Sequence, residues 1–388
     1  MISLFESSPS IFEIVLLALF SCAFLVQLFY YLFYFTKMIS YSKKVKKGLV
    51  KFEESHPPVS IIICAKNESE NLEKFLPSVL EQDYPNFEII VVNDGSSDDS
   101  EDVLVKLKQR YSNLQTTFVP EIAKFVDSKK FAVVLGIKAA KNELLLFTDA
   151  DCIPTSKNWI TNMVRNFDNE TEIVLGYGGY SKAKGFLNCL IKYDTLFIAI
   201  QYFNYALAKK AYMGVGRNMA YRKSMFYRTK GFSSHLNLQS GDDDLFINET
   251  TSKTNTRIEI SEDSTTLSVP KTTLKYWFNQ KERHLSTSRH YKFQSKLLIA
   301  TEILSRFLFY ASMILALCLL NPLVSIIVGS LFLIRYIIQL IIINLSAKKL
   351  GEQRFYVSIL MFDILLPIFN LYLMGRSLLR GKQKYKWK

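Results

Sequence analysis

The sequence predicts an α/β domain with a mostly parallel sheet, placed between transmembrane α-helices at both ends of the chain. Three observations carry this. Short apolar runs alternate with helical stretches from Lys51 to about Lys296. No residue from Ile14 to Thr36 is charged. From Phe307 to Ala347 only Arg335 is. With 49% of its 388 residues hydrophobic, the chain is no disordered polymer. Its formal charge of +13 leaves two partners to weigh, nucleic acid and an anionic membrane face.

The N-terminal run is long enough to span a bilayer core, which takes about 20 apolar residues. A helix over about 12–36 is expected. A cleaved signal peptide would begin basic and be shorter, whereas Glu6 and Glu13 make this start acidic. Lys37, Lys43, Lys44, Lys46 and Lys47 follow the run and mark its cytosolic end. Residues 1–50 are therefore read as an anchor and basic linker.

In the middle region, 51–296, "VSIIICAKNE", "FEIIVVNDGSSDDS", "TTFVPE" and "ELLLFTDADCIP" read as strands. "ESENLEKFLPSVLEQ", "SEDVLVKLKQRY" and "KFAVVLGIKAA" read as the helices between them. Strand–helix alternation gives a doubly wound sheet, which binds ligands beyond the carboxyl ends of its strands. Two later stretches, Lys184–Tyr212 and Lys271–Lys296, fit either a core helix or a helix lying on a membrane.

The last region, 297–388, holds helices expected at about 300–320 and 323–346, with Asn321-Pro322 as the hairpin turn. The block at 355–375 contains Asp363, Pro367 and Asn370. It is read as interfacial or re-entrant in preference to a further crossing, which would put the basic tail (Arg376, Arg380, Lys382, Lys384, Lys386, Lys388) on the wrong side. Since the basic residues flank apolar segments, membrane lipids are the expected partner and nucleic acid is not. Cys22, Cys64, Cys152, Cys189 and Cys318 lack the spacing of a disulfide framework or zinc site.

Polar residues gather where the strands end: Asn67 and Glu68, then Asp94-Gly95-Ser96, then Asp149-Ala150-Asp151. Glu68 and Asp98 are equally read as helix caps. In an extended stretch Asp149 and Asp151 share a face, a pattern suited to a hard divalent cation with a nucleotide diphosphate. Asp242, Asp243 and Asp244 supply candidate bases, or an N-cap for a helix starting at Leu245, with Asp242 or Asp244 capping while Asp243 stays available.

The ordered set "VSIIICAKNE", "IIVVNDGSSDDS", "KKFAVVLGIKAA", "LLFTDADCIP", "GVGRNMAYRKSMF", "SGDDDLFI" and "QKERH" resembles glycosyltransferase family 2, whose fold is GT-A. The resemblance covers roughly residues 57–290. It implies inverting transfer from a nucleotide-sugar, with a UDP-sugar as the expected donor and Mg²⁺ or Mn²⁺ as cofactor. It places Ala65 and Glu68 at the base and ribose, Asp94 on the nucleobase, Lys130 near the nucleotide, and Asp149 on the ribose or sugar. Asp151 would ligate the metal and Asp243 would be the general base. Gln280 and Arg283 match a Gln-x-x-Arg motif on the donor side. Gly216, Asn218, Asp242 and His284 fall on the acceptor side. His284 stands where that motif usually has Trp, which puts processive synthesis in doubt. Asp244 has no assigned role. Being tied to the membrane on both sides, the domain is expected to use a lipid-linked or other membrane-proximal acceptor at the cytosolic face. Competing readings are a processive polysaccharide synthase and a non-catalytic nucleotide-binding scaffold.

Overall fold

The protein is described by a computed structural model over residues 10–120 and 129–379. The tail from Arg380 onward, expected to carry cytosolic charge, lies outside the described residues. Helix α1 (Ile11–Phe29) opens with a capping box, in which Ser10 Oγ accepts from the Glu13 amide and the Glu13 carboxylate accepts from the Ser10 amide. It passes through a π-helical segment, Tyr30–Tyr34, into α2 (Lys37–Lys46). The helix expected at 12–36 is thus two helices joined by a π turn.

The α/β half starts at β1 (Val59–Ala65) and alternates as expected: α3 (Ser69–Leu80), β2 (Phe87–Asn93), α4 (Ser100–Arg110), β3 (Leu114–Phe118), α5 (Lys129–Ala139) and β4 (Leu144–Asp149). The central strands β1, β2 and β4 are mostly apolar because both of their faces are covered, whereas β3 at the sheet edge (LQTTF) is largely polar and half-buried. Ile62, Ile90, Val92, Leu145 and Phe147 enter one core with α5. Ile61, Ile63, Ile89, Val91, Leu144 and Leu146 enter the other with α3 and α4. On α5, Gly136 allows the close approach; a Cβ there would lie 2.6 Å from Ile62 Cγ2.

After β4 come β5 (Cys152–Pro154), α6 (Trp159–Val164), β6 (Ile173–Leu175), β7 (Gly178–Tyr180), α7 (Phe186–Leu207), β8 (Met219–Arg222), α8 (Lys223–Arg228), α9 (Asp244–Thr250), β9 (Thr256–Ile258) and β10 (Thr266–Ser268). The main sheet has the order β3-β2-β1-β4-β8-β6-β9. Strands β1 to β4 are parallel, while β8 runs antiparallel to both of its neighbours. A small sheet, β5-β10-β7, stands at its carboxyl edge. Of the two readings for Lys184–Tyr212, α7 takes the core one: nearly every side chain from Leu190 to Ala206 is buried.

Helix α10 (Leu274–Ser288) leads to α11 (Phe293–Leu319), α12 (Pro322–Lys349) and α13 (Val357–Leu379). Asn321 caps α12, accepting from the Val324 amide, and Pro322 takes its first position, so the expected hairpin is there. Four described helical stretches are long and apolar enough to cross a membrane: α1 with its extension, α11, α12 and α13. The block at 355–375 is one continuous helix and not a re-entrant pair. Along its length α13 packs on helices of the α/β half. The Phe362 ring meets Phe186 and Tyr193 of α7, Phe369 meets Phe278 of α10, and Arg376 lies 3.7 Å from Glu282. Its Asp363 belongs to a buried ion cluster with Arg306 (3.3 Å) and Arg335 (2.9 Å).

Candidate active site

Strand register builds the site. Cys64 on β1 is opposite Val92 on one side and Asp149 on the other, and Ala65 is opposite Asn93. The three carboxyl ends are therefore level, and the loops leaving them share one edge. The Asp94 amide donates to Ala65 O (2.8 Å), and the Lys66 ammonium lies 3.6 Å from Asp94. Ala65 is fully buried. The loops are stitched through Asn67, which adopts φ 54° and accepts from the Ser97 amide, and through Asp98. Asp98 accepts from the amides of Ser69 and Ser100, the first residues of α3 and α4, so it is a cap. Those bonds outweigh its desolvation and hold its carboxyl down at about 2. Glu68, at the N-cap position of α3, makes no capping bond; its carboxylate accepts from Asn71 instead.

Asp149 ends β4, and Asp151 sits in the turn before β5. The two acids come together by that turn, not by alternation along one strand as expected. Their oxygens and Cys152 Sγ all lie within 4.8 Å of one another. Burial pushes Asp149 up, but the charges of Lys129, Arg217 and Arg283 bring it below the usual carboxylate range. Asp151 goes the other way: burial and the Asp149 charge raise it, and Ser268 Oγ donates to it at 3.0 Å. Two carboxylates with such opposed environments suit a site that awaits a cation. Burial pushes the Cys152 thiol up, and sulfur is in any case a soft donor ill-matched to a hard ion. Asp149 Oδ1 is engaged by Lys129 at 2.6 Å. Asp151, to which no lysine is bonded among the described residues, is then the better-placed candidate ligand, and a carboxylate suits a hard divalent cation such as Mg²⁺ or Mn²⁺.

Lys129 is the cation the sequence reading missed. Burial opposes its charge, yet Asp149 and Asp242 (3.6 Å) hold its pKa well above the ordinary lysine value. Lys130, expected near the nucleotide, is turned away. Its Nζ donates to His235 O (2.6 Å) and Leu238 O (2.8 Å), and burial lowers its pKa to about 8. The Lys-Lys doublet opens α5, and neighbouring helix positions point about 100° apart, so only one can face the strand ends. Arg217, which the resemblance groups with Gly214, Gly216 and Asn218 in an acceptor-side loop, is the second cation at this edge. It is stacked on the Tyr180 ring at 4.3 Å and donates to Gly179 O at 3.5 Å.

The acid run departs from its expected division of labour. Asp243 itself is the N-cap of α9: Oδ1 accepts from the Asp244 amide (2.7 Å) and Oδ2 from the Gly216 amide (2.8 Å). Two fixed donors aim this carboxylate. Gly216 permits the approach, since a Cβ there would stand 3.3 Å from Asp243 Oδ2. Asp242 faces Lys129, and burial raises its pKa. Asp244 turns inward to accept from Thr287 Oγ1 and from Tyr291 OH (2.6 Å). Burial and the Asp243 charge push it up to about 7. It ties the helix behind Asp243 to α10, the helix bearing Gln280, Arg283 and His284.

On α10, Gln280 donates to Tyr180 OH at 3.2 Å. His284 is exposed to the cavity it lines; desolvation by the surrounding protein and the charges of Arg283, Lys281 and Arg217 push its pKa down. Asn218 is a structural hub, not an acceptor contact. It accepts from Trp159 Nε1 (3.0 Å) and donates to Tyr177 O and Ser264 O, all in the interior. Gln280, His284, Arg217 and Tyr180 line one end of a cavity of about 210 Å³ that runs towards α11 and α13.

The family model Glycosyl transferase family 2 matches residues 60–229. The poly-beta-1,6-N-acetyl-D-glucosamine synthase of Staphylococcus aureus (strain COL) is 32% identical over 146 residues, 36% of this chain and 32% of that protein. The protein of the same name from Staphylococcus epidermidis is 35% identical over 111 residues, 27% and 24%. The chain thus spans about a third or less of the length of these curated relatives. Among solved structures, a mannosyltransferase from Pyrobaculum calidifontis, in complex with GDP-Man and Mn²⁺, covers 95% of this chain and 99% of its own, with TM-score 0.59 at 16% identity. At that identity the likeness is one of fold.

Proposed function

We propose that this chain, whose residues 60–229 are a family 2 glycosyltransferase domain, moves a sugar from a nucleotide-sugar to the hydroxyl of a lipid-linked or membrane-proximal acceptor. The observation that carries this reading is the meeting of Asp149, Asp151, Asp243, Lys129 and Arg217 beyond the level strand ends. The nucleotide would lie over Ala65, Glu68 and Asp94, where the β1 and β2 loops meet. Arg217 and Arg283 would face its diphosphate. Asp151 would hold a divalent cation, whose charge would help neutralise the leaving diphosphate.

In the step itself, Asp243 accepts the proton of the acceptor hydroxyl, and that oxygen forms the new bond to the anomeric carbon. The bond to the diphosphate oxygen breaks with its electron pair on the departing nucleotide. The two amides on Asp243 fix its direction without protonating it. The domain would face the cytosol, with α1, α11 and α12 crossing the membrane. Helix α13 would lie along the interface, as its contacts with α7 and α10 support.

A uridine donor is favoured by the staphylococcal relatives, whose name specifies an N-acetylglucosamine polymer. The mannosyltransferase neighbour, solved with GDP-Man, makes guanosine donors the competitor. Processive synthesis is the second reading, supported by the relatives' name and opposed by His284 at the usual Trp position. The test is nucleotide release by purified full-length protein from a panel of UDP- and GDP-sugars, with Mn²⁺ and membrane lipid extract. One UDP-sugar should be consumed, chelation should stop it, and the product should carry a single added sugar. A polymer ladder would favour the second reading. Absence of both nucleotide binding and release would overturn the first.

A further inference from the structure

The small sheet β5-β10-β7 sets Cys152, Ser268 and Tyr180 directly across from one another. Residues opposite in a ladder share a face. The Tyr180 ring therefore stands on the side from which Ser268 Oγ reaches Asp151. It touches two groups there. The Arg217 guanidinium lies over the ring, 4.3 Å from its centre. Gln280 Nε2 donates to the ring hydroxyl at 3.2 Å.

Arg217 depends on that ring for its direction. Among the described residues it has no carboxylate at ion-pair distance, and a single hydrogen bond, to Gly179 O at 3.5 Å. A long side chain without a bidentate acid to fix it takes its direction from what its flat face rests on. Its remaining N–H donors are left for an incoming anion.

The tyrosine is itself held from behind. Its carbonyl accepts from Lys192 Nζ at 2.9 Å, and Lys192 is paired at 2.9 Å with Glu352, between α12 and α13. Tyr177 OH donates to the same carboxylate at 2.9 Å. On the other side, the Ser181 amide donates to Ser268 O at 2.9 Å. A ring anchored this firmly can orient a neighbour.

We propose that Tyr180 is a positioning residue. Its ring face aims Arg217 at the donor diphosphate, and its hydroxyl fixes Gln280 and with it the face of α10 that bears Arg283 one turn on. The inference rests on the sugar-transfer reading for the diphosphate. The test is the affinity of full-length protein, with Mn²⁺, for UDP and for uridine, or for GDP and guanosine where the donor screen selects guanosine.

Tyr180→Leu should weaken diphosphate binding about tenfold and leave the nucleoside within about twofold. Tyr180→Phe keeps the ring and drops the hydroxyl, and should lose about threefold. In an Arg217→Ala background, Tyr180→Leu should cost no more than that threefold, the mark of a residue that acts through another. If Tyr180→Leu does not fold, a trifluorinated phenylalanine at position 180 replaces it. This ring keeps its shape but has a weaker negative face, and should bind the diphosphate about fivefold less tightly than Tyr180→Phe. Equal affinity of those two rings would overturn the inference. So would an unchanged diphosphate affinity in Tyr180→Leu, an equal loss for the nucleoside, or a full tenfold loss on top of Arg217→Ala. In each of these cases the nucleotide site stands. Failure of the wild type to bind either diphosphate would overturn the sugar-transfer reading, and the inference with it.

Discussion

Two buried clusters of charge in this molecule use the same residue types to opposite ends. Between the apolar helices, Asp363 meets Arg306, Arg335 and the Tyr310 hydroxyl, and Arg306 also meets Glu302. Each acid there has an opposite charge within 3.3 Å. Beyond the strand ends, Asp149, Asp151, Asp242, Asp243 and Asp244 crowd together, and Lys129 is the ammonium bonded among them. The first cluster is closed and fastens α11, α12 and α13. The second is short of positive charge. On the proposed function, a bound divalent cation would offset that imbalance.

The contrast can be broken by removing an acid from each. The largest effect on stability belongs to the closed cluster. Asp363→Asn strands Arg335 and leaves Arg306 to Glu302 alone, and should cost about 3–5 kcal/mol in detergent unfolding, with nucleotide binding per folded molecule unchanged. In the open cluster, Asp151→Asn should leave stability nearly untouched while turnover falls ~10²–10³-fold and the demand for Mn²⁺ weakens.

A smaller effect comes from pH. The folded pKa of Asp244 is raised to about 7, so folded protein keeps a proton that unfolded chain has released. Stability should therefore fall as pH rises from about 4 to about 7, by at most about 1.4 kcal/mol per pH unit from this group, and level off above. Asp244→Asn should flatten that stretch of the denaturation profile. A profile unchanged by the substitution would show that Asp244 ionises normally. The smallest effect is expected at Gly216→Ala. Its Cβ meets Asp243 Oδ2 at 3.3 Å, so kcat should drop by about threefold to tenfold with little change in KM.

Much of the α/β half was legible because its central strands are covered on both faces and must read as unbroken apolar runs. The Asp-x-Asp at the end of β4 and the acid run before α9 were legible as composition. Their geometry was not. Whether Lys129 or Lys130 faces the strand ends depends on the rotation of α5, which sequence spacing leaves open. Asp243 as cap, and Asp244 as the link to Thr287 and Tyr291, depend on how α9 meets α10 and β8. Asn218 looked like a site residue because it adjoins Gly216 and Arg217, yet one position further along the chain its side chain faces the interior. Hydropathy likewise could not place α13, since its packing on α7 and α10 comes from residues distant in sequence. Apolar length measures what a helix avoids, and its neighbours decide where it lies.

The central claim is that the open cluster is a reaction centre with Asp243 as its base. Asp243→Asn in full-length protein, compared with wild type for nucleotide affinity and for turnover of the accepted donor, tests it directly. The account predicts affinity within about threefold and turnover lower by ~10²–10⁴-fold. Turnover within about tenfold of wild type, with affinity intact, would contradict it.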